Sequence, residues 1–521
     1  MQDMTSLKQS KFTILALASI SLLCLSCSKK LPGPYEYNEL NKTPFVEQSY
    51  EGYYKVGDFP SLSSNGYTID TDYSSIYQSG NIVYSMPSTG EVPLLVVPID
   101  FDDSVGNSTG LGYIDNAFTG NKESNQYVSV SEYYAYSSCD RLHIKPYVVK
   151  DFFRSPTYPK VTDLSSIVGD SGTTSALTTL YSEAKTWLSS SHKEIDLSSF
   201  SYKSKNNKEI LPIYFIYNAP YAGEYDPSST SRSSMLWAFT ISRPAPISWS
   251  SIDMLHPNEG KVDAHTFIHE TGHLFGLDDY YDPRSSEAIS RISHLGRMDM
   301  MDCSLGDQNA FSKMLLNWER PYVPTSSCEI TLHQGSGNNE SILLPLSSWN
   351  KTLYDDYLLM EFYTPTGLNY VDTYFRSDVT MKLFENPGIK IYKVDASLEL
   401  YNGSYPSGVY LNEKNYNGGR LSIGRNNSSF SSPLIQLLNK HQNNGNPTPY
   451  FIASDHEEDA RYLTSSGSVN IVHLSEALFY EGDTIDETHF PDIYKQIGTR
   501  MKIKTLNSSY ATISFEFAKE A

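Results

Sequence analysis

Apolar positions change their period along this chain. The run Val92-Pro93-Leu94-Leu95-Val96-Val97-Pro98-Ile99-Asp100-Phe101, bounded by Gly90 and by Asp102-Asp103, is continuous over the length of a buried strand. Pro98 cannot donate to a ladder and points to an edge or a strand end. Ser129-Val130-Ser131-Glu132 has capping-box spacing and predicts a helix through Tyr136, then a turn at Ser138-Cys139-Asp140-Arg141 and a strand over 143–149. Over 175–189, Ala176, Leu177, Leu180, Tyr181, Ala184, Trp187 and Leu188 share one face at 3.6 residues per turn, which predicts a helix. A further buried strand is expected over 210–217. This alternation of strands and helices predicts an α/β or α+β domain. Beyond Trp318-Glu319-Arg320-Pro321 the runs shorten, at 341–346, 357–363, 389–394 and 468–474. At 510–517, Ala511, Ile513, Phe515 and Phe517 alternate with Thr512, Ser514 and Glu516, so a β-sandwich-like region is expected over 325–521.

Between the two regions lies the stretch that carries chemistry, His269-Glu270-Thr271-Gly272-His273-Leu274-Phe275-Gly276-Leu277-Asp278-Asp279. Histidines four apart share one helix face, so two imidazoles can meet one metal ion. The intervening Glu270 can reach a water on that metal as general base, the HExxH pattern of zinc hydrolases. A catalytic zinc takes three protein ligands and keeps an open position. Gly276 allows the helix to end and the chain to reverse, and Asp279 beyond it can supply the third ligand. HExxH alone would arise by chance in roughly one such chain in 60, and with Gly276 and Asp279 in about one in 20,000. The helix is expected to begin near Asp263 as N-cap. His265 lies one turn too early for a compact site and reads as a packing or solvent histidine. Asp282 and Asp302 are candidate acceptors for the histidine N–H groups.

Composition narrows the setting. The chain has 521 residues, 39 % hydrophobic and 19 % charged, which fits a globular protein of more than one domain. A net charge of −20 argues against nucleic acid as a partner. Lys8 and Lys11 precede the apolar run Phe12 to Leu25, a signal-peptide core too short to span a bilayer comfortably. It leads into Leu25-Ser26-Cys27-Ser28, which resembles a bacterial lipobox. That resemblance implies cleavage before Cys27 and a lipid on its sulfur, hence a membrane-anchored or secreted protein outside the cytoplasm. Residues 27–90 read as a tether or prosegment. Cys139, Cys303 and Cys328 remain after the leader. They allow at most one disulfide, with Cys303 and Cys328 the nearer pair, and free thiols fit equally. Asp/Asn-rich loops such as 412–427 and 443–447 offer oxygens for Ca²⁺, without EF-hand spacing.

His269 to Asp279, continued by Tyr281 and Asp282, resembles the signature HExxHxxGxxD plus Tyr-Asp of the M6 (immune inhibitor A-like) metallopeptidases. Other stretches are similar to the same family: 94–103, 129–142, Ser234-Met235-Leu236-Trp237 as the strand before the metal helix, Gly296 to Asp302, and Asn309 to Lys313 with Trp318. Asp140 stands where the family has Gly; Asp tolerates the left-handed region. The resemblance implies an α+β, metzincin-like zincin catalytic domain over 91–324, with Met301 in an apolar turn beneath the histidines and Tyr281 near the site. It also implies a zinc endopeptidase with one catalytic Zn²⁺ and protein or peptide substrates, expected as a monomer. Two rivals remain: a surface binding protein or adhesin with a vestigial peptidase core, and a zinc amidohydrolase acting on a non-protein amide.

Overall fold

The computed structural model describes residues 44–59, 77–78, 81–82, 85–167, 169–203, 209–221, 234–277, 279–280, 295–296, 298–334, 339–373, 383–396, 398–400, 409–411, 434–438, 459–463, 469–473 and 477–518. All belong to one unit, Asn38–Ala521. The leader with Cys27, the residues Tyr281 and Asp282, and the Asn-rich loops proposed for Ca²⁺ lie outside the described residues. Among the described residues no helix is long and apolar enough to cross a membrane.

The chain mixes helices with several β-sheets. Its first sheet runs in the order Phe239–Ile241, Ile247–Ser251, Ile213–Tyr217, Gly90–Ile99, Leu142–Val148. The last four strands are mutually parallel, and only the edge strand Phe239–Ile241 is antiparallel to its neighbour. Strand Gly90–Ile99 is therefore internal rather than an edge. Pro98 lies past Val96, where the ladder to Leu142–Val148 stops, so its missing N–H costs nothing on that side. Alternate residues of this strand enter different cores, as period two requires. Leu95, Val97 and Ile99 meet Leu177, Leu180 and Leu188, on the helix Gly169–Ser191. Val92, Leu94 and Val96 meet the cluster that holds Phe267 and Ile268.

The predicted capping box is present: the Ser129 hydroxyl and the Glu132 carboxylate cap each other's backbone N–H groups at the start of Val130–Ser137. Cys139 and Asp140 then take φ of 52° and 62°, the left-handed turn that an Asp accepts more readily than most residues. The resemblance placed a strand at 234–237. The structure has a 3₁₀ turn at Ser234–Leu236, and the pairing residues lie later, at Phe239–Ile241 and Ile247–Ser251, on either side of Pro244 and Pro246.

A seven-stranded sheet follows, in the order Gln48–Tyr50, Tyr53–Lys55, Tyr322–Pro324, Ser341–Pro345, Asp356–Tyr363, Gly388–Asp395, Ile435–Leu437. Its first two strands come from the stretch expected as tether. Side chains on one of its faces, among them Ile342, Leu344, Leu358 and Met360, pack with Ile330, Ile503, Ile513 and Phe515 of a four-stranded sheet that includes Cys328–His333, Thr499–Leu506 and Tyr510–Phe517. Its other face contributes Leu343, Tyr357, Leu359 and Tyr392 to the same core as Phe267 and Met301. The helix carrying His269 thus sits between two sheets, and both halves of the chain build its surroundings. Cys139 and Cys328 are free thiols, so no Cys303–Cys328 bridge forms. Cys328 instead opens a strand and faces Gly52.

Candidate metal centre

The metal helix spans His265–Leu274 and is buried along nearly its whole length. Its N-cap residue is Ala264, not Asp263, and Ala264 supplies no side-chain cap. Asp263 still caps from one residue earlier, its Oδ1 accepting the His265 N–H at 3.0 Å. At the other end, Gly276 takes φ 92°. Leu277 N–H donates to the Gly272 carbonyl at 3.2 Å and Gly276 N–H to the His273 carbonyl at 2.9 Å. These two bonds are those of a Schellman turn, whose left-handed residue is normally glycine. The turn sends the chain back along the helix, which returns Asp279 to the histidines.

Both imidazoles are oriented by backbone carbonyls. His269 Nδ1 donates to Met300 O at 2.7 Å, and His273 Nδ1 donates to Leu277 O at 2.8 Å. The role expected of Asp302 is thus filled by main chain. With Nδ1 carrying the proton, each ring directs Nε2 inward. Both Nε2 atoms meet the same oxygen: Asp279 Oδ1 lies 3.1 Å from His269 Nε2 and 3.4 Å from His273 Nε2. Two donors on a tetrahedral zinc, each about 2.0–2.1 Å from it, lie roughly 3.3–3.4 Å apart. Without a cation these contacts are histidine–carboxylate hydrogen bonds and ion pairs; with a cation in place of the shared protons the same three atoms become electron-pair donors at this spacing, so the donor set fits a divalent cation. For His273, burial lowers the pKa, but the Asp279 carboxylate and then Glu270 outweigh it and raise it to about 10. Asp279 shows the counterpart: burial is overcome by His273 and His269, which hold it well below the usual carboxylate range.

The side chain of Glu270 is buried, and its ligand atom lies within 4.8 Å of both imidazoles. It is not the natural third ligand, because its Oε2 accepts the Thr240 hydroxyl at 2.9 Å and Asp279 is nearer both rings. Burial raises the Glu270 pKa, against the lowering pull of His273, His269 and the Thr240 hydroxyl. Thr240 belongs to the antiparallel edge strand, and Ser248 on the next strand donates to the Glu270 carbonyl at 3.2 Å. The sheet edge therefore holds the carboxylate directly.

Beneath the helix lies the short helix Met300–Cys303, which carries Met301. Asp299 caps Met300–Cys303 by accepting Met301 N–H. Met301 is fully buried, and a Cβ built on Gly272 would come within 2.4 Å of its sulfur. Tyr280 N–H donates to Met301 O at 2.9 Å, tying the segment of Asp279 to the turn. Tyr134 donates to the Ile268 carbonyl at 2.7 Å. His265 is buried and stacks on Tyr127 with ring centres 4.0 Å apart. Sequence reasoning did not find Thr240, Gly272, Tyr134 or the carbonyls of Met300 and Leu277. Only Gly272, inside the HExxH stretch, carried a sequence signal, as a helix-interior glycine that asks for a packing reason. No protein-family profile matches this chain, and a search of curated proteins returns no match.

Proposed function

We propose that this chain is a zinc-dependent endopeptidase with a metzincin-like catalytic region related to the M6 peptidases. The supporting observation is the convergence of His269 Nε2 and His273 Nε2 on one oxygen of Asp279, with both Nδ1 atoms already bonded to main chain. His269, His273 and Asp279 would hold Zn²⁺, which supplies a Lewis acid for a peptide carbonyl and brings the pKa of a water to ~7. Glu270, aimed by Thr240, accepts the proton of the attacking water and returns it to the leaving amine. Its buried environment favours this exchange, because a raised pKa brings a carboxylate nearer neutral pH. Among the described residues, strand Phe239–Ile241 is the edge of its sheet, and it touches Glu270 through Thr240. An extended peptide added to that edge would present successive carbonyls to the site, which favours a polypeptide substrate over a small amide. The leader motif around Cys27 supports anchoring of the mature chain to a bacterial membrane, outside the cytoplasm.

The test is mass spectrometry of a denatured proteome-derived peptide library incubated with purified protein, with and without chelator. Internal cleavages that vanish with chelator, return with zinc and are absent for Glu270→Gln are expected. Zinc-loaded protein that cuts no internal bond would refute the endopeptidase reading.

A further inference from the structure

We propose that His265 is a positioning residue, held as an imidazolium between Asp263 and Asp372, and that this buried clasp fixes the metal helix against the C-terminal half. The inference rests on reading the site as a metal centre only for its effect on metal affinity. His265 Nδ1 lies 2.5 Å from Asp263 Oδ1. Its Nε2 lies 3.1 Å from Asp372 Oδ1 and 3.3 Å from Asp372 Oδ2. A neutral imidazole has one N–H, and its second nitrogen would turn an electron pair toward a carboxylate. With both carboxylates ionised, both contacts are attractive only if both nitrogens carry protons. The three groups are almost wholly enclosed: His265 is 4 % exposed, Asp263 5 % and Asp372 1 %.

His265 is the first residue of the helix, where the macrodipole disfavours a cation. One imidazolium with two carboxylates leaves a net charge of minus one, which that helix end favours. Among the described residues, groups from three segments meet the ring: Asp263 before the helix, Asp372 on the turn Val371–Thr373, and the stacked Tyr127. Tyr127 in turn donates its hydroxyl to Leu368 O at 2.6 Å, so the segment 368–372 reaches the ring directly through Asp372 and indirectly through Tyr127. Asp372 Oδ2 also accepts Gly306 N–H at 2.6 Å. Gly306 closely follows the helix Met300–Cys303, whose Met300 carbonyl orients His269. A single carboxylate from the C-terminal half therefore ties together the first turn of the metal helix and the methionine turn beneath it.

The test uses full-length protein with ¹³C/¹⁵N-labelled histidine, the His265 signal being assigned by its loss in His265→Gln. At pH 8 an ordinary histidine, with a pKa near 6.5, is almost entirely neutral. The wild-type His265 ring is expected to remain an imidazolium there. Asp372→Asn keeps an oxygen for Gly306 N–H and removes the charge, so its His265 should be neutral at pH 8. Zinc affinity of that variant, measured by competition with a chromogenic chelator, should fall about tenfold, the lower end of the range for supporting groups around metal ligands. A neutral His265 in the wild-type protein at pH 8 would overturn the charged clasp without any variant having to fold. A folded Asp372→Asn protein whose zinc affinity lies within twofold of wild type would overturn the positioning role. Wild-type protein that takes up no zinc would sink the metal-centre reading and the positioning role with it, while the ring signal would still decide the clasp.

Discussion

Gly272→Ala is a demanding test of how the site is packed, because local propensity and tertiary contact predict opposite outcomes. In a helix interior alanine is favoured over glycine by about 0.8–1.0 kcal/mol. Here the added Cβ would lie 2.4 Å from Met301 Sδ, 3.0 Å from Met301 Cε and 3.2 Å from Tyr134 Oη, well inside the roughly 3.5–4.0 Å of ordinary contact. Met301 is fully buried and the turn that carries it is capped by Asp299, so relief requires its flexible thioether to take another rotamer within the packed core or the turn to shift. Overpacking of this kind costs about 1–3 kcal/mol, and the net expectation is a destabilisation of up to ~2 kcal/mol. Thermal unfolding of Gly272→Ala, Met301→Ala and the double variant measures it. Met301→Ala alone should be destabilised by about 2–5 kcal/mol through its cavity. The double variant should be more stable than the sum of the two by at least about 1 kcal/mol, since the new methyl fills space the sulfur vacated. A Gly272→Ala protein more stable than wild type, or a strictly additive cycle, would refute the proposed contact between helix and methionine turn.

Further outcomes follow from the same geometry. Asp279→Asn should weaken zinc binding, measured by chelator competition, by at least about a hundredfold, beyond what supporting groups around a ligand set typically contribute; unchanged affinity would remove Asp279 from the ligand set. Glu319 provides a pH test: burial, only partly countered by Lys313, raises its carboxyl to about 7. Its folded pKa exceeds its unfolded one, so its contribution to stability is complete below ~4.5 and is lost as pH rises through about 7. Glu319→Gln should therefore match wild type near pH 4.5 and exceed it by up to about 3 kcal/mol at pH 8, as chemical unfolding at the two pH values would show. A wild-type-like pH dependence in that variant would contradict the assignment.

The helix His265–Leu274 was legible because two histidines four apart on one helix face are a local pattern, and so was its ending, because Gly276 at φ 92° is a backbone need that only sequence position had to reveal. The strands Gly90–Ile99 and Tyr510–Phe517 were legible from apolar continuity and from alternation. What escaped is long-range. Nothing in Phe239-Thr240-Ile241 announces that Thr240 will face Glu270 across thirty residues, and three residues are too few for a period. The strands Gln48–Tyr50 and Tyr53–Lys55 have exposed or half-exposed side chains, so no apolar pattern marked them, and pairing with Tyr322–Pro324 fixes their place. Asp302 was a reasonable acceptor by composition, but carbonyls carry no sequence signature, and Met300 O and Leu277 O took that role.

The central claim is that His269, His273 and Asp279 share one zinc ion that Glu270 serves as base. X-ray absorption at the zinc edge, on wild type and Glu270→Gln loaded with one equivalent of metal, tests it when proteolysis is measured on the same samples. The account predicts two imidazole nitrogens and oxygen ligands at about 2.0–2.1 Å in both proteins, with cleavage slowed at least about a hundredfold in Glu270→Gln. Sulfur in the coordination shell, no tightly held zinc, or undiminished cleavage by Glu270→Gln would contradict it.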